Sequence, residues 1–571
     1  PIPPLDFRKK ENKESEMLFL ERARAAVGEK ATASLPREKL AAVCRLLDGL
    51  PLAIELAVPL LRIFTLEELE QRLTTPLDYL GTSYSSSTPR HASLQRAIDW
   101  SFRLLTNTEA RLLASLGIFT GGFTLETVHR VCTAEWENRC TAKTLQSLIE
   151  KSLVHETELS CSGSRRFALL ESVRHYAIAE ANTLNLTAGL QKRHADFFTN
   201  LIHTRFREFY GPQEEQALGI LTEEHANIQS TLDFLNAGEE YVHGLQLAVE
   251  LNWYWYRRGM FGTGEYWLSR FLEKFPARPI AESKLDLPRA RGIESLAWMK
   301  LASGYWRRAY LLYTEALEAS RLSGDTEIEA RSLSGVGVTA RWLGDVKRGT
   351  EYTEEAIRVA RTQDNQVILL HTLIWAYATT GGSFTGTPPV AQLHEAADLA
   401  RKLGSRWYYA HVLNGLGDLF STLGSFVQAK TYFLLSLREY SLLGDRMMMA
   451  WNEEGLGLLA FRDGALKLAH THTARALSYF HTVGDELNFI VMLVRLADIQ
   501  DCQGRQEEAA QCAGAASRVI DAINDTDAGR SPRIAHGRRR CAQYESRFPL
   551  AWIEGRETPL HEILSRLGCS V

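Results

Sequence analysis

Apolar residues recur at helical spacing along almost the whole chain, and strand-like alternation is rare. Between Glu16 and Leu73 the segments MLFLERARA, LAAVCRLLDGLPLAIELAVPLL and LEELEQRL predict helices, with a break at Gly49 and Pro51. A proline just inside a helix costs little there, because a first-turn amide has no intrahelical partner. PIPPLDF and the charged run after it read as a linker, and GTSYSSSTPRHA (81–92) as a second, polar one. Further on, SLQRAIDWSFRLLT, NTEARLLASLGIF (with Thr106 as N-cap) and TLETVHRVC are helical. SLVHE and RRFALLE then flank CSGS as a short hairpin, and ESVRHYAIAEANTL returns to helix. Residues 190–275 are helical and rich in aromatics, and Trp253, Trp255, Tyr256 and Trp267 read as buried core.

A longer period governs the second half. Small residues return every 40 positions as Ala297, Ala309 and Ala316; Gly337, Gly349 and Ala356; Gly417, Ala429 and Ser436; Gly457, Ala469 and Ala476; and Ala497, Ala509 and Ala516, with offsets of 12 and 7 inside each set. A glycine sits in the middle of each unit (Gly304, Gly344, Gly424, Gly464, Gly504) and another closes most units (Gly324, Gly404, Gly444, Gly484). A Gly or Ala where two helices cross lets their backbones approach, and a glycine between helices ends one without a Cβ penalty. The pattern therefore predicts a stack of helical hairpins. Its offsets resemble those of the tetratricopeptide repeat, whose unit has about 34 residues. The extra residues, shared between two helices, would lengthen each by roughly 4.5 Å. The third unit is degenerate: Tyr377 and Pro389 occupy small-residue positions and GGSFTGTPP (381–389) replaces the turn, which predicts a kink or a projecting loop.

The expected fold class is mainly all-α: a helical region over 1–80, a winged-helix domain over 81–185 and a helical linker or capping region over 186–287. A tetratricopeptide-like superhelix of six 40-residue repeats over 288–524 and a C-terminal helical cap over 525–571 complete it. At 571 residues the chain is too long for one core. A net charge of −4 lacks the basic excess typical of nucleic-acid binding, no apolar run reaches membrane-span length, and eight scattered cysteines without a CxxC pair suit a reducing cytoplasm.

Four segments in order, RLLDGLPLAIELA (45–57), LQRAIDWSFRLLT, LGIFTGGFTLETV and FALLESVRHYA, followed by the repeat array, resemble the STAND class of signalling ATPases, in particular the bacterial LuxR-type and antibiotic-regulator-type members. The resemblance implies a P-loop ATPase core, a helical lid over 1–80, the winged helix, and a superhelical sensor that restrains the ATPase until a ligand or partner binds. It places Gly49, Leu50 and Pro51 on the adenine-bordering GLPL motif. Leu169, Leu170 and Glu171 fall on a Met-His-Asp motif, whose phosphate-contacting histidine is here Leu170, a side chain that cannot hydrogen-bond. Glu171 is left to pair with a nearby cation. GxxxxGK[ST] does not occur; GEK at 28–30 lacks its first glycine and following hydroxyl, so no phosphate cradle is expected. The chain then reads as the sensing and regulatory half of a transcription-regulating ATPase, beginning downstream of the core. ATP or ADP would bind only in the full-length protein, and no enzyme activity, metal, cofactor, membrane or direct DNA contact is expected of this chain. A repeat scaffold that assembles partners without switching is the alternative.

In tetratricopeptide arrays the first helix of each unit lines the concave face. On this frame the inward set is Arg291, Glu294 and Trp298; Arg331, Arg341 and Trp342; His371 and Trp375; His411, Asn414 and Asp418; and Trp451 and Glu454. Aromatic platforms interleaved with charges suit a polar small molecule, protein or peptide; packing against neighbouring helices is the plainer role for several of them. Alanine at Arg331, His411 or Asn414 should leave folding intact if these side chains are exposed. His470, His472 and His481 read as solvated surface, since helical residues two apart diverge; Met447 to Met449 read as packing at a helix start, with the lining of a flexible pocket as the alternative, and Arg538 to Arg540 as a solvated helix face. Only Arg165 and Arg166 charge the expected wing.

Overall fold

A computed structural model describes residues 14–29, 32, 35–47, 51–74, 99, 101–133, 138–157, 159–275, 287–378, 388–523 and 532–569. Two compact units emerge: residues 1–201 with 219–234, and residues 202–218 with 235–571.

In the first unit, α1 (Glu14–Val27), α2 (Arg37–Leu46), α3 (Pro51–Ala57), a 3-10 turn (Val58–Arg62) and α4 (Leu66–Thr74) bury Phe19, Val43, Ile54 and Leu69 in one core. Next come α5 (Asn107–Leu116), β1 (Phe123–Thr124), α6 (Leu125–Val131), α7 (Asn138–Glu150), β2 (His155–Glu156), β3 (Arg166–Ala168) and α8 (Glu171–Thr183). The strands form an antiparallel sheet in the order β1-β3-β2, with Phe123 opposite Phe167. Its core joins Leu113, Phe119, Phe123, Leu148 and Phe167, so the winged-helix reading stands. β1 escapes the sequence because two residues are too few to show alternation.

Thr106 is the N-cap of α5, in a capping box closed by Glu109. The Glu109 carboxylate also accepts from Lys151 at 2.6 Å and Ser147 at 2.5 Å. Burial alone would raise its pKa, but the hydrogen bonds from Lys151, Ser147 and Thr106 outweigh this and hold it at about 2. A depressed carboxyl contributes stability above its unfolded pKa of about 4.3 that is lost as pH falls through the folded value. Acid titration of this unit should therefore show a loss of stability between about pH 4.5 and pH 2 that a Glu109→Gln variant lacks.

Helices α9 (Thr187–Phe206), α10 (Glu214–Glu223) and α11 (His225–Ala237) follow, then α12 (Tyr241–Arg257) and α13 (Phe261–Lys274). Six hairpins make up the array: α14 (Leu287–Ala302) with α15 (Trp306–Ser323), α16 (Thr326–Trp342) with α17 (Val346–Arg361), α18 (Gln366–Ala378) with α19 (Val390–Leu403), α20 (Arg406–Thr422) with α21 (Phe426–Leu443), α22 (Arg446–Arg462) with α23 (Leu466–Val483), and α24 (Glu486–Cys502) with α25 (Gln506–Ala522). The last helices are α26 (Pro532–Arg547), α27 (Pro549–Glu557) and α28 (Leu560–Arg566). In the third hairpin Pro389 immediately precedes α19; the loop expected from 381 onward falls, up to residue 387, outside the described residues.

The small-residue sets sit at helix crossings. A Cβ on Gly337 would lie 2.6 Å from Thr353 Oγ1 and 3.0 Å from the Gly349 carbonyl oxygen, and one on Gly417 would lie 2.7 Å from the Phe433 ring. Gly344 adopts φ +100° where the chain turns between α16 and α17. Ala429 is fully buried. Ala429→Leu should overpack its crossing and cost about 1–3 kcal/mol in denaturant melts; a change below about 0.5 kcal/mol would show that the position is not a contact. Successive first helices also touch one another, α14 on α16, α16 on α18, α18 on α20 and α20 on α22, and form a continuous inner layer.

Candidate functional site

That inner layer borders a cavity of about 1090 Å³, whose lining includes Trp298, Arg341, Trp342, Trp375, His411, Asn414 and Trp451. Seven of the thirteen residues placed inward from the repeat frame thus meet around one space, contributed by five consecutive hairpins.

Trp298 is packed edge-on against Trp375, with centroids 5.2 Å apart, and lies 5.1 Å from Tyr256 and 5.6 Å from His371. Trp375 Nε1 donates to His371 Nε2 at 3.1 Å, which requires that nitrogen to be unprotonated. Burial pushes the His371 pKa well below its ordinary value, so the ring is neutral. His411 stacks on Trp407 at 4.9 Å and shares a hydrogen bond with the Tyr440 hydroxyl at 3.3 Å; burial lowers its pKa to about 4. Trp407 is held from behind: Arg257 lies 5.3 Å over its ring and pairs with Glu215 at 2.6 Å, while the Trp407 amide donates to the buried Glu214 carboxylate at 2.8 Å. Asn414 Nδ2 donates to Asn452 Oδ1, and Asn452 Nδ2 to the Met448 carbonyl oxygen.

The remaining inward residues have structural work. Glu294 is buried and accepts from Arg331 Nε at 3.0 Å, and Arg331 also hydrogen-bonds Tyr210. Arg291 pairs with Asp325, the N-cap residue of α16. Glu454 is held by Arg495 and Arg533. His371 is buried behind Trp375, and Asp418 stands outside the cavity lining. The repeat frame identifies the helix face but not which charges on it find partners one repeat away.

Other expectations need correction. His472 is not solvated: its Nδ1 lies 2.5 Å from the buried Glu453 carboxylate. Arg540 is bound to Asp498. Met447 and Met448 border the cavity, and so does Tyr256, which is only half-buried, whereas Trp253, Trp255 and Trp267 are core. Glu265, Trp306, Asn488 and Arg533 are among its further polar and aromatic lining residues and were not anticipated. A trace of the α12–α13 hairpin was available, since Asn252, Gly264 and Phe271 repeat the offsets of 12 and 7 with bulkier residues.

Gly49 and Leu50 lie outside the described residues, and Pro51 is the half-buried first residue of α3. Glu171 pairs with Arg174 at 2.6 Å and His175 at 2.9 Å, as the motif reading expected. In the wing Arg165 meets Glu156 at 3.3 Å, and Arg166 is buried against Glu224 with Nη2 on the Gly121 carbonyl oxygen at 2.8 Å. Of the two wing arginines Arg166 is buried in its ion pair, whereas Arg165 stays exposed beside Glu156. Among the described residues no cluster of metal-ligating side chains occurs and no helix is long and apolar enough to cross a membrane.

Fold and site together define a winged-helix protein with a helical-repeat array built around an aromatic cavity. Residues 105–180 match the winged helix-turn-helix domain family. Proteins of Mycobacterium bovis and Mycobacterium tuberculosis, provisionally named HTH-type transcriptional regulators, are 28% identical over 375 residues, which is 65% of this chain and 42% of theirs. The chain thus spans less than half the length of these relatives. Among solved structures, a signal transduction ATPase with numerous domains and a tetratricopeptide repeat sensor from Pyrococcus horikoshii is 13% identical, covers 97% of this chain and 74% of its own, and has a TM-score of 0.41. The chain is therefore similar to HTH-type transcriptional regulators, and the winged helix and helical repeats expected from its sequence are both present.

Proposed function

We propose that this chain is the regulatory and sensing part of a STAND-type transcriptional regulator. A ligand bound in the cavity of the superhelix alters the restraint that the chain places on an ATPase and effector module elsewhere in the longer protein. The observation that carries this reading is the convergence of Trp298, Trp375, His411, Asn414 and Trp451, from separate repeats, on one roomy aromatic space. A scaffold groove needs no such enclosure, whereas a switch needs a site whose occupancy differs in free energy between two states. Trp298→Phe, which keeps a ring in this packed position, and Asn414→Ala in the full-length regulator should blunt the transcriptional response while both variants still fold with a single melting transition. Normal signalling in both would remove the cavity as the sensing site.

ATP or ADP belongs, in this reading, to the full-length protein only. Calorimetry on residues 1–571 should detect neither micromolar nucleotide binding nor ATP hydrolysis, because a glycine-rich turn of backbone amides is what cradles phosphates. Micromolar affinity would overturn that assignment.

A further inference from the structure

We propose that the cavity is selective for an uncharged, largely apolar small molecule carrying a hydrogen-bond donor, which Asn414 Oδ1 accepts. This rests on the sensor reading and specifies the ligand's chemistry. The first argument is charge. Of the charged lining residues, Glu265 is occupied by Lys300 Nζ at 2.5 Å and Ser303 Oγ at 2.7 Å, and Arg533 by Glu454 and Asn488, each at 2.7 Å. Asp485 accepts from the Asn488 amide at 3.0 Å and from Asn488 Nδ2 at 2.6 Å. Arg341 and Glu486 add one charge of each sign. With three carboxylates and two guanidiniums in the lining, neither sign of charge dominates the wall, and a charged ligand would lose hydration that the apolar part of the cavity does not replace. Both nearby histidines are neutral at physiological pH, as their buried surroundings require. Trp298, Trp375, Trp451 and Met447 meanwhile supply the apolar walls on which a flat molecule packs.

The second argument fixes the polar atom. The Met448 carbonyl oxygen can only accept, so Asn452 must present Nδ2 to it and Oδ1 to Asn414. Asn414 must then answer with Nδ2, at 3.2 Å. The amide cannot flip without breaking this chain, so Oδ1 is the acceptor that Asn414, a lining residue, has to offer a ligand. His411, one helical turn earlier on α20, also lines the cavity; stacked on Trp407 and neutral, it adds surface but no charge.

The test uses three probes on the 571-residue chain: neutral N-phenyl-1-naphthylamine, which has one N–H donor; its N-methylated form, which has none; and the anionic 8-anilino-1-naphthalenesulfonate. Affinities are read from probe emission and tryptophan quenching, with Trp298→Ala locating the site. The neutral donor probe should bind at least about tenfold more tightly than either of the others, in keeping with the cost of leaving a buried acceptor unpaired. In Asn414→Leu the preference for N–H over N-methyl should vanish while the melting curve keeps a single transition. Tighter binding of the sulfonate, lost in Arg341→Gln, would overturn the ligand class and leave the sensor reading standing. An N–H preference that persists in Asn414→Leu would overturn the acceptor assignment. Binding of none of the probes in a Trp298-dependent way would overturn both the proposal and the cavity as sensing site.

Discussion

Arg331→Ala is expected to destabilise the superhelical unit by about 3–5 kcal/mol, because removing one member of a buried ion pair strands the other. Glu294 has 2% of its side chain exposed and Arg331 23%, so the carboxylate left behind has almost no access to water. The repeat frame alone placed Arg331 on an open groove, where alanine would be nearly silent. It cannot see that the guanidinium reaches Glu294 on the preceding first helix and the Tyr210 hydroxyl. The measurement is a denaturant melt of Arg331→Ala beside Arg331→Met/Glu294→Met. The double variant removes both charges and should recover most of the loss. A single variant within about 0.5 kcal/mol of wild type would place Arg331 back among exposed residues.

Arg166→Ala should cost the winged-helix unit a comparable amount, again about 3–5 kcal/mol, while Arg165→Ala costs less than about 0.5 kcal/mol. The neighbours look interchangeable in CSGSRR, yet Arg166 is the first residue of β3 and Arg165 precedes the strand. Arg166 is directed inward to Glu224 and the Gly121 carbonyl oxygen, and its side chain is 8% exposed. Arg165 stays outside at 72%, against Glu156. Equal effects in thermal melts of the two variants would contradict this division.

Local rules in the sequence were sufficient for the architecture. Positions that must be small because two backbones meet, such as Gly337 and Gly417, repeat with the hairpin and mark its period directly. The Thr106 capping box and the hairpin of the wing are equally local, needing only residues a few positions apart. The inner face of each first helix follows from the same frame, which is why the sequence spacing alone groups Trp298, Trp375, His411 and Asn414 on one side of the stack.

What only the tertiary structure decided is how that face is divided between stability and recognition. Arg291, Glu294, Arg331 and Glu454 are of the same residue types as a ligand-binding set, but each meets a partner 34 to 79 residues away or is met by one. Such partnerships depend on side-chain reach across helices, which no periodic pattern along one chain encodes. Part of the cavity wall, including Tyr256, Glu265 and Arg533, comes from helices before and after the regular repeats, where the small-residue frame does not reach. Helix formation and stacking are written in spacings of a few residues, while the site is written in contacts that exist only once the repeats have stacked.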